Sequence, residues 1–148
     1  MRLLIQRVTS ATVCIDDKPF SAIGKGLLVL LGITHSDNLQ TIQRLTRKLT
    51  ELRIFEDSQG KMNLSIKDVQ GEILLVSQFT LYADCRRGRR PDFIQAANPQ
   101  QAQELYLAFV EELRKTGIPV STGVFAADMQ INLTNDGPVT IMLDSDSL

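Results

Sequence analysis

The stretch TNDGPVT, residues 134–140, decides how the second half of this chain is read. Asn135-Asp136-Gly137 is a dense turn signal: asparagine and aspartate bond to their own nearby backbone, and glycine tolerates positive φ. Pro138 stands where the return strand of a hairpin begins, yet proline has no N–H to give to a strand ladder. Read locally, residues 124–134 and 139–144 pair as strands around NDGP. Alternation supports the first of them, with Met129, Ile131 and Leu133 on one face and Gln130, Asn132 and Thr134 on the other. Gly137-Pro138 is then either turn punctuation or a backbone shape presented to something else. Only about 5% of X-Pro bonds in folded proteins are cis, so trans is the default here.

Upstream, residues 2–15 carry Val8, Thr9, Thr12, Val13 and Ile15, a β-branched run that predicts a long strand. Residues 27–33, LLVLLGI, are continuously apolar and read as a strand covered on both faces. Asp37 followed by Gln40 resembles a capping box, and Leu39, Ile42, Leu45, Leu49 and Leu52 then predict an amphipathic helix over 38–52. Arg53–Glu56 is a short strand ended by Asp57-Ser58-Gln59-Gly60, and residues 72–82, EILLVSQFTLY, form another. Residues 83–98 read as loop. Asn98-Pro99 is an N-cap followed by proline at the first helical position. Leu105, Tyr106, Phe109, Val110 and Leu113 share one face of a helix over 99–115, stopped by Gly117 and Pro119. The order β, β, α, β, β, α, β, β predicts a mixed α/β fold. The expectation is a single compact domain over 1–148, with mostly antiparallel sheets in a β-barrel-like core and two helices packed outside.

With 148 residues, 43% hydrophobic and 22% charged, the chain has the length and composition of an ordinary globular domain. A net charge of −1 excludes a polyanion binder that works by bulk field, though a local basic patch stays open. The two cysteines, Cys14 and Cys85, form no CxxC and point to a reducing, cytoplasmic setting. The N-terminal residues show no apolar h-region or cleavage site, and no apolar run is long enough to span a bilayer.

A single histidine, His35, excludes a multi-histidine metal site, and its place before a helix cap reads as a solvent-facing loop. No phosphate-binding glycine loop and no GxSxG nucleophile elbow is present. SQFTL, residues 77–81, places Ser77, Gln78 and Thr80 at the end of a buried strand. They either line a pocket or are satisfied polar groups of a half-buried strand. RRGRRP, residues 86–91, sets four arginines around Gly88, either as phosphate contacts or as a solvated loop. Lys61, Met62 and Asn63 form a polar turn with no clear assignment.

Taken together, SQFTL (77–81), GRRPDF (88–93), TGVFAADM (122–129) and NDGPVT (135–140) resemble the bacterial-type D-aminoacyl-tRNA deacylases. IQRV (5–8), GLLVLLGI (26–33) and RIFEDSQGKMNLS (53–65) match the same family, in the same order, over essentially the whole chain. The resemblance implies a homodimeric, cytoplasmic hydrolase without cofactor or metal. It would act on the 3′ end of tRNA carrying a D-amino acid or glycine and release free amino acid and tRNA. It places Ser77, Gln78, Phe79 and Thr80 at the pocket floor, with Phe125 and Met129 enclosing the terminal adenosine. The backbone N–H groups of Phe79 and Thr80 become candidates for an oxyanion hole. Gly137-Pro138 would carry a cis bond, enter the partner's pocket and reject L-residues by clash, with Arg7 bracing the loop. The ribose 2′-hydroxyl would assist the attacking water, and a Thr80 nucleophile is the lesser alternative because no evident base sits beside it. Three rivals accompany this reading: a non-catalytic RNA- or nucleotide-binding module, a structural dimerisation domain, and a hydrolase using Cys14 or Cys85.

Overall fold

Strand β1 (Arg2–Ile15) is the spine of the molecule and serves two cores. In the computed structural model, which describes Met1–Leu148, its first half gives Leu3 and Ile5 to the main core. Its second half gives Val8, Ala11 and Val13 to a smaller one. Val8 faces the smaller core by ordinary alternation with Leu3 and Ile5, and the register shift against the last strand between Val8 and Ser10 lets the odd-numbered Ala11 and Val13 face that same core. Strand β2 (Lys18–Ile23) folds back on the second half of β1 through Asp16-Asp17, both at positive φ as a tight hairpin turn requires. Strand β3 (Gly26–Gly32) runs antiparallel to the first half of β1.

From β3 the chain crosses by helix α1 (Leu39–Glu51) and the small pair β4 (Phe55–Glu56) and β5 (Met62–Leu64) to β6 (Glu72–Ser77), which lies parallel to β3. A second crossover, through helix α2 (Pro99–Arg114), brings β7 (Val120–Thr122) parallel to β6. The sheet order is β2-β1-β3-β6-β7, with β8 (Gln130–Asp144) on the far side of β1. At the sheet ends, Ser21 Oγ donates to the Thr122 carbonyl at 2.7 Å, so β2 meets β7 and the sheet nearly closes on itself. The two helices pack on each other and on the sheet, burying Ile42, Leu45, Leu49, Tyr106, Phe109 and Leu113. The expected mixed α/β domain with a barrel-like core and two external helices is therefore what the chain forms. Neither helix is long and apolar enough to cross a membrane.

Several local expectations change. The segments flanking NDGP do not pair with each other. Gln130–Asn135 pairs with Val8–Cys14 and Thr140–Asp144 with Arg2–Gln6, so both belong to one strand lying along β1. That strand starts at Gln130, and Val124–Met129 is irregular. The strand over 72–82 ends at Ser77, and Phe79–Tyr82 forms a 3-10 turn. The cap of α1 is Asn38, whose side chain accepts from the Gln40 and Thr41 N–H groups, while Asp37 is buried and accepts from the Thr34 N–H instead. The pairings are mostly antiparallel, as expected, with β3–β6 and β6–β7 the two parallel pairs.

Helix α2 starts as its sequence demands: Asn98 Oδ1 accepts from the Gln101 N–H at 3.0 Å, with Pro99 in the first turn. Asn98→Ala should cost about 1 kcal/mol, a fall of roughly 2–4 °C in melting temperature by calorimetry.

Candidate active site

Three parallel strands, β3, β6 and β7, end on the same side of the sheet. Ligand sites in such sheets form beyond the carboxyl ends of the strands, where the departing chains splay apart. Here they enclose a cleft of about 590 Å³. Leu31 and Ile33 enter from β3, Ser77, Gln78 and Phe79 from the end of β6, and Phe125 to Met129 from the segment after β7. Phe93, Ala96 and Ala97 close one side, with Pro99 and Ala102 from the start of α2. The lining is mainly apolar, with a few polar groups at the strand ends, the usual make-up of a small-molecule site.

Each wall has a local cause. Gln78 N donates to the Leu31 carbonyl at 2.8 Å, the last tie to β3 before the chain turns into the 3-10 segment. Phe79 and Thr80 head that segment, positions whose N–H groups find no carbonyl within it. The Phe79 ring meets the Phe93 ring edge-on at 4.9 Å and stays 57% exposed at the cleft mouth. Behind the cleft, Phe125 packs on Tyr106 with ring centroids 5.9 Å apart. The Tyr106 hydroxyl donates to the Leu75 carbonyl at 3.0 Å, and burial pushes its pKa up to about 12, so it stays a neutral support. A Cβ at Gly123 would lie 2.6 Å from Met129 Sδ, so the flexible methionine side chain would have to shift within the cleft to admit one.

Thr80 does not line the cleft. Its exposed hydroxyl accepts from Gln78 Nε2, with no histidine, lysine or carboxylate bonded to it. His35 is exposed and pairs through Nε2 with the Ile94 carbonyl. Cys14 and Cys85 are free thiols outside the cleft. No three His, Cys, Asp or Glu side chains converge to hold a metal ion.

The Gly137-Pro138 segment stands elsewhere, as a protrusion between the two halves of β8. Both residues are exposed, the bond between them is cis and Gly137 has φ 135°. The protrusion is pinned at its base. Asn135 Oδ1 accepts from the Val139 N–H at 2.7 Å, and Asn135 Nδ2 donates to the Val139 carbonyl at 3.1 Å and to Gln6 Oε1 at 2.9 Å. From β1, the buried Arg7 donates through Nε to the Asp136 carbonyl at 2.9 Å and through Nη1 to the Ile54 carbonyl at 2.6 Å. Its guanidinium also lies 3.3 Å from the Asp136 carboxylate and 3.7 Å from that of Glu56.

Thus Ser77, Gln78, Phe79, Phe125 and Met129 share one cleft, Thr80 sits at its rim, and Arg7 joins Gly137 and Pro138 at a separate place on the same chain. Asn135, which the sequence presents only as a turn former, is the latch of the protrusion. Phe93 and Ala96–Ala97 fall in a segment read as plain loop, where no periodicity marks them as a wall.

The sequence model of the D-Tyr-tRNA(Tyr) deacylase family matches residues 4–144. The chain belongs to this family. The match runs from β1 to the end of β8, so the cleft, Arg7 and the protrusion all lie within the deacylase-family region. A D-aminoacyl-tRNA deacylase of Protochlamydia amoebophila is 59% identical over 145 residues, covering 98% of this chain and 96% of the relative. One from Thermotoga petrophila is 53% identical over 148 residues, covering 100% and 99%. The solved structure of a c-Myc DNA Unwinding Element Binding Protein superposes with a TM-score of 0.92 at 44% identity, covering 97% of this chain and 98% of that one. A probable eukaryotic D-amino acid tRNA deacylase shares the fold, with a TM-score of 0.81 at 18% identity, covering 96% and 97%.

Proposed function

We propose that the protein is a homodimeric hydrolase that cleaves the ester of D-aminoacyl-tRNA and of glycyl-tRNA, releasing free amino acid and tRNA. The observation that carries this is the cleft of about 590 Å³ at the end of β6, in a chain of the deacylase family. The terminal adenosine lies between Phe125 and Met129, with the ester over Ser77 and Gln78. Water attacks the ester carbonyl, assisted by the neighbouring ribose 2′-hydroxyl, and the oxyanion meets the N–H groups of Phe79 and Thr80. One such donor lowers the barrier by roughly 3–4 kcal/mol. The Thr80 hydroxyl, engaged by Gln78 and lacking a base, takes no covalent part.

Chirality is read by the partner. Gly137 and Pro138 are exposed, firmly braced and absent from the cleft of their own chain, which suits a part supplied to a neighbouring subunit. Their carbonyls receive the α-ammonium of the substrate. With the amino group, the ester and Cα fixed, a D-side chain runs to solvent and an L-side chain strikes the protrusion. Glycine has no side chain to strike and passes. The free thiols Cys14 and Cys85 suit a reducing cytoplasm, where tRNA is charged.

A second reading, a nucleic-acid-binding module without turnover, is favoured by the 44% identity to a protein named for binding a DNA unwinding element. Deacylation of matched D-tyrosyl-, L-tyrosyl- and glycyl-tRNA by the purified protein separates the two. Rapid loss of the D- and glycyl-esters with the L-ester spared is expected, and Thr80→Ala should retain most of that rate. Retention of all three esters with tRNA bound would leave the binding module. Alkylation with iodoacetamide should leave the rate within about twofold, because neither thiol borders the cleft; its abolition would implicate a cysteine.

A further inference from the structure

A polyanionic substrate poses a problem for this chain. It has 16 Lys and Arg against 17 Asp and Glu, so no overall field draws RNA to it. Electrostatic affinity for phosphates has to come from a local surplus of cations, through release of the counterions they displace.

The densest surplus is Arg86, Arg87, Arg89 and Arg90, in a loop closed by two backbone bonds. Asp84 N donates to the Asp92 carbonyl at 2.9 Å and Asp92 N to the Asp84 carbonyl at 3.0 Å. One arginine is used inside the loop. Arg86 Nε donates to both oxygens of the Asp84 carboxylate, at 2.9 and 3.0 Å, and the Arg86 N–H donates to the same group. Those bonds hold the Asp84 carboxyl down at about pKa 2, so the brace stays charged throughout the neutral range. Arg87, Arg89 and Arg90 are exposed and have no carboxylate within ion-pair distance. Gly88, at φ 74° with open space around it, makes the turn between them. Like charges so close repel one another, and an anion would relieve that repulsion.

The loop's position matters as much as its charge. It leaves the fold just after the 3-10 turn headed by Phe79, and it returns at Phe93, whose ring touches that of Phe79 at 4.9 Å. Both rings line the cleft. The three free guanidinium groups are therefore carried on a braced loop rooted at the cleft mouth.

We propose that Arg87, Arg89 and Arg90 bind the phosphates of the acceptor-strand nucleotides that precede the ester-bearing adenosine, and that Arg86 with Asp84 holds the loop for them. This rests on the deacylase reading. The planar guanidinium fork suits phosphate, and such contacts position the strand without reading its bases. They would serve every aminoacyl-tRNA alike.

The test compares wild type with Arg87→Ala/Arg89→Ala/Arg90→Ala on two substrates, D-tyrosyl-tRNA and the D-tyrosyl ester of adenosine, which has no phosphate. Single-strand contacts contribute about 0.7 each to the slope of log affinity against log salt, so the triple variant should lose about 2 from that slope. Relative to 1 M salt, this corresponds to a KM for the tRNA raised about 30- to 100-fold at 0.1 M, with the penalty absent from the adenosine ester. Arg87→Lys/Arg89→Lys/Arg90→Lys should restore most of the salt slope. An unchanged KM and slope on tRNA, or an equal loss on the adenosine ester, would overturn the assignment. Fluorescence anisotropy with labelled uncharged tRNA decides the same point without turnover: weaker, less salt-sensitive binding by the alanine variant supports it, and equal binding sinks it. A wild type inactive on both esters would end the deacylase reading, while the anisotropy would still decide the loop's contact with RNA.

Discussion

Gly137→Ala should lower kcat/KM for D-tyrosyl-tRNA about a hundredfold or more, while the protein remains folded. At φ 135° an L-side chain is strained whatever the space around it. The added Cβ would also lie 2.8 Å from Val139 Cγ2 and 3.0 Å from Arg7 Nη2. Neither neighbour is free to give way. Val139 is buried and its N–H is bonded to Asn135, and Arg7 is fixed by the Asp136 and Ile54 carbonyls. The protrusion itself must move. A shift of about 1 Å in a group that positions substrate costs on the order of a hundredfold in rate. Because Gly137 is exposed, the cost in stability should be smaller, roughly 1–3 kcal/mol. Parallel rates on D- and L-tyrosyl-tRNA, with a thermal melt of the same sample, check this. Unchanged rate and selectivity beside a lowered melting temperature would remove the protrusion from the site.

Arg7→Met should destabilise the protein by about 2–5 kcal/mol, roughly 1–3 kcal/mol for each of the two carbonyls left without its donor, while the neighbouring carboxylates stay solvated. Arg7 is 3% exposed, and its guanidinium unites three elements: β1, which carries it, the Ile54 carbonyl before β4, and the Asp136 carbonyl in the protrusion. Methionine fills much of the volume but leaves both carbonyls without their donor. Lysine keeps the charge but lacks the planar fork that reaches two acceptors on different sides, so Arg7→Lys should recover only part of the loss. For a domain of this size the methionine variant should melt several degrees or more below wild type. Urea unfolding of both variants measures the effect. A loss below about 1 kcal/mol for methionine would mean that water replaces the arginine at both carbonyls.

Much of the architecture is written in local pattern. The Asn98-Pro99 start of α2, the all-apolar β3 and the β-branched β1 each carry their own signature. The NDGP segment misleads for a physical reason. The residues that close a hairpin also suit a protrusion within one strand, and the difference lies in the partner, β1, more than a hundred positions away in sequence. SQFTL misleads differently. Its composition fits a strand, but the chain needs a 3-10 turn to leave the sheet, and that turn presents the Phe79 and Thr80 N–H groups. Strand β7 is three residues long, too short for alternation to register. The cleft residues Ser77, Gln78, Phe79, Phe125 and Met129 are identifiable as a set only by family resemblance, since the crossovers that unite them are tertiary facts. Asn38 and Asp37 show the limit of capping rules: both can cap, and the one left over found a buried role.

Strand β8 is paired on one side only, by β1, and so leaves a long row of backbone donors and acceptors unused within the chain. A straight edge of this kind invites further strands and, through them, aggregation. The Asp136–Val139 protrusion breaks the row in two, and Pro138 removes a donor at the break. An incoming strand can follow Gln130–Asn135 or Thr140–Asp144, but it cannot run unbroken along both, so the segment proposed to guard chirality also guards solubility.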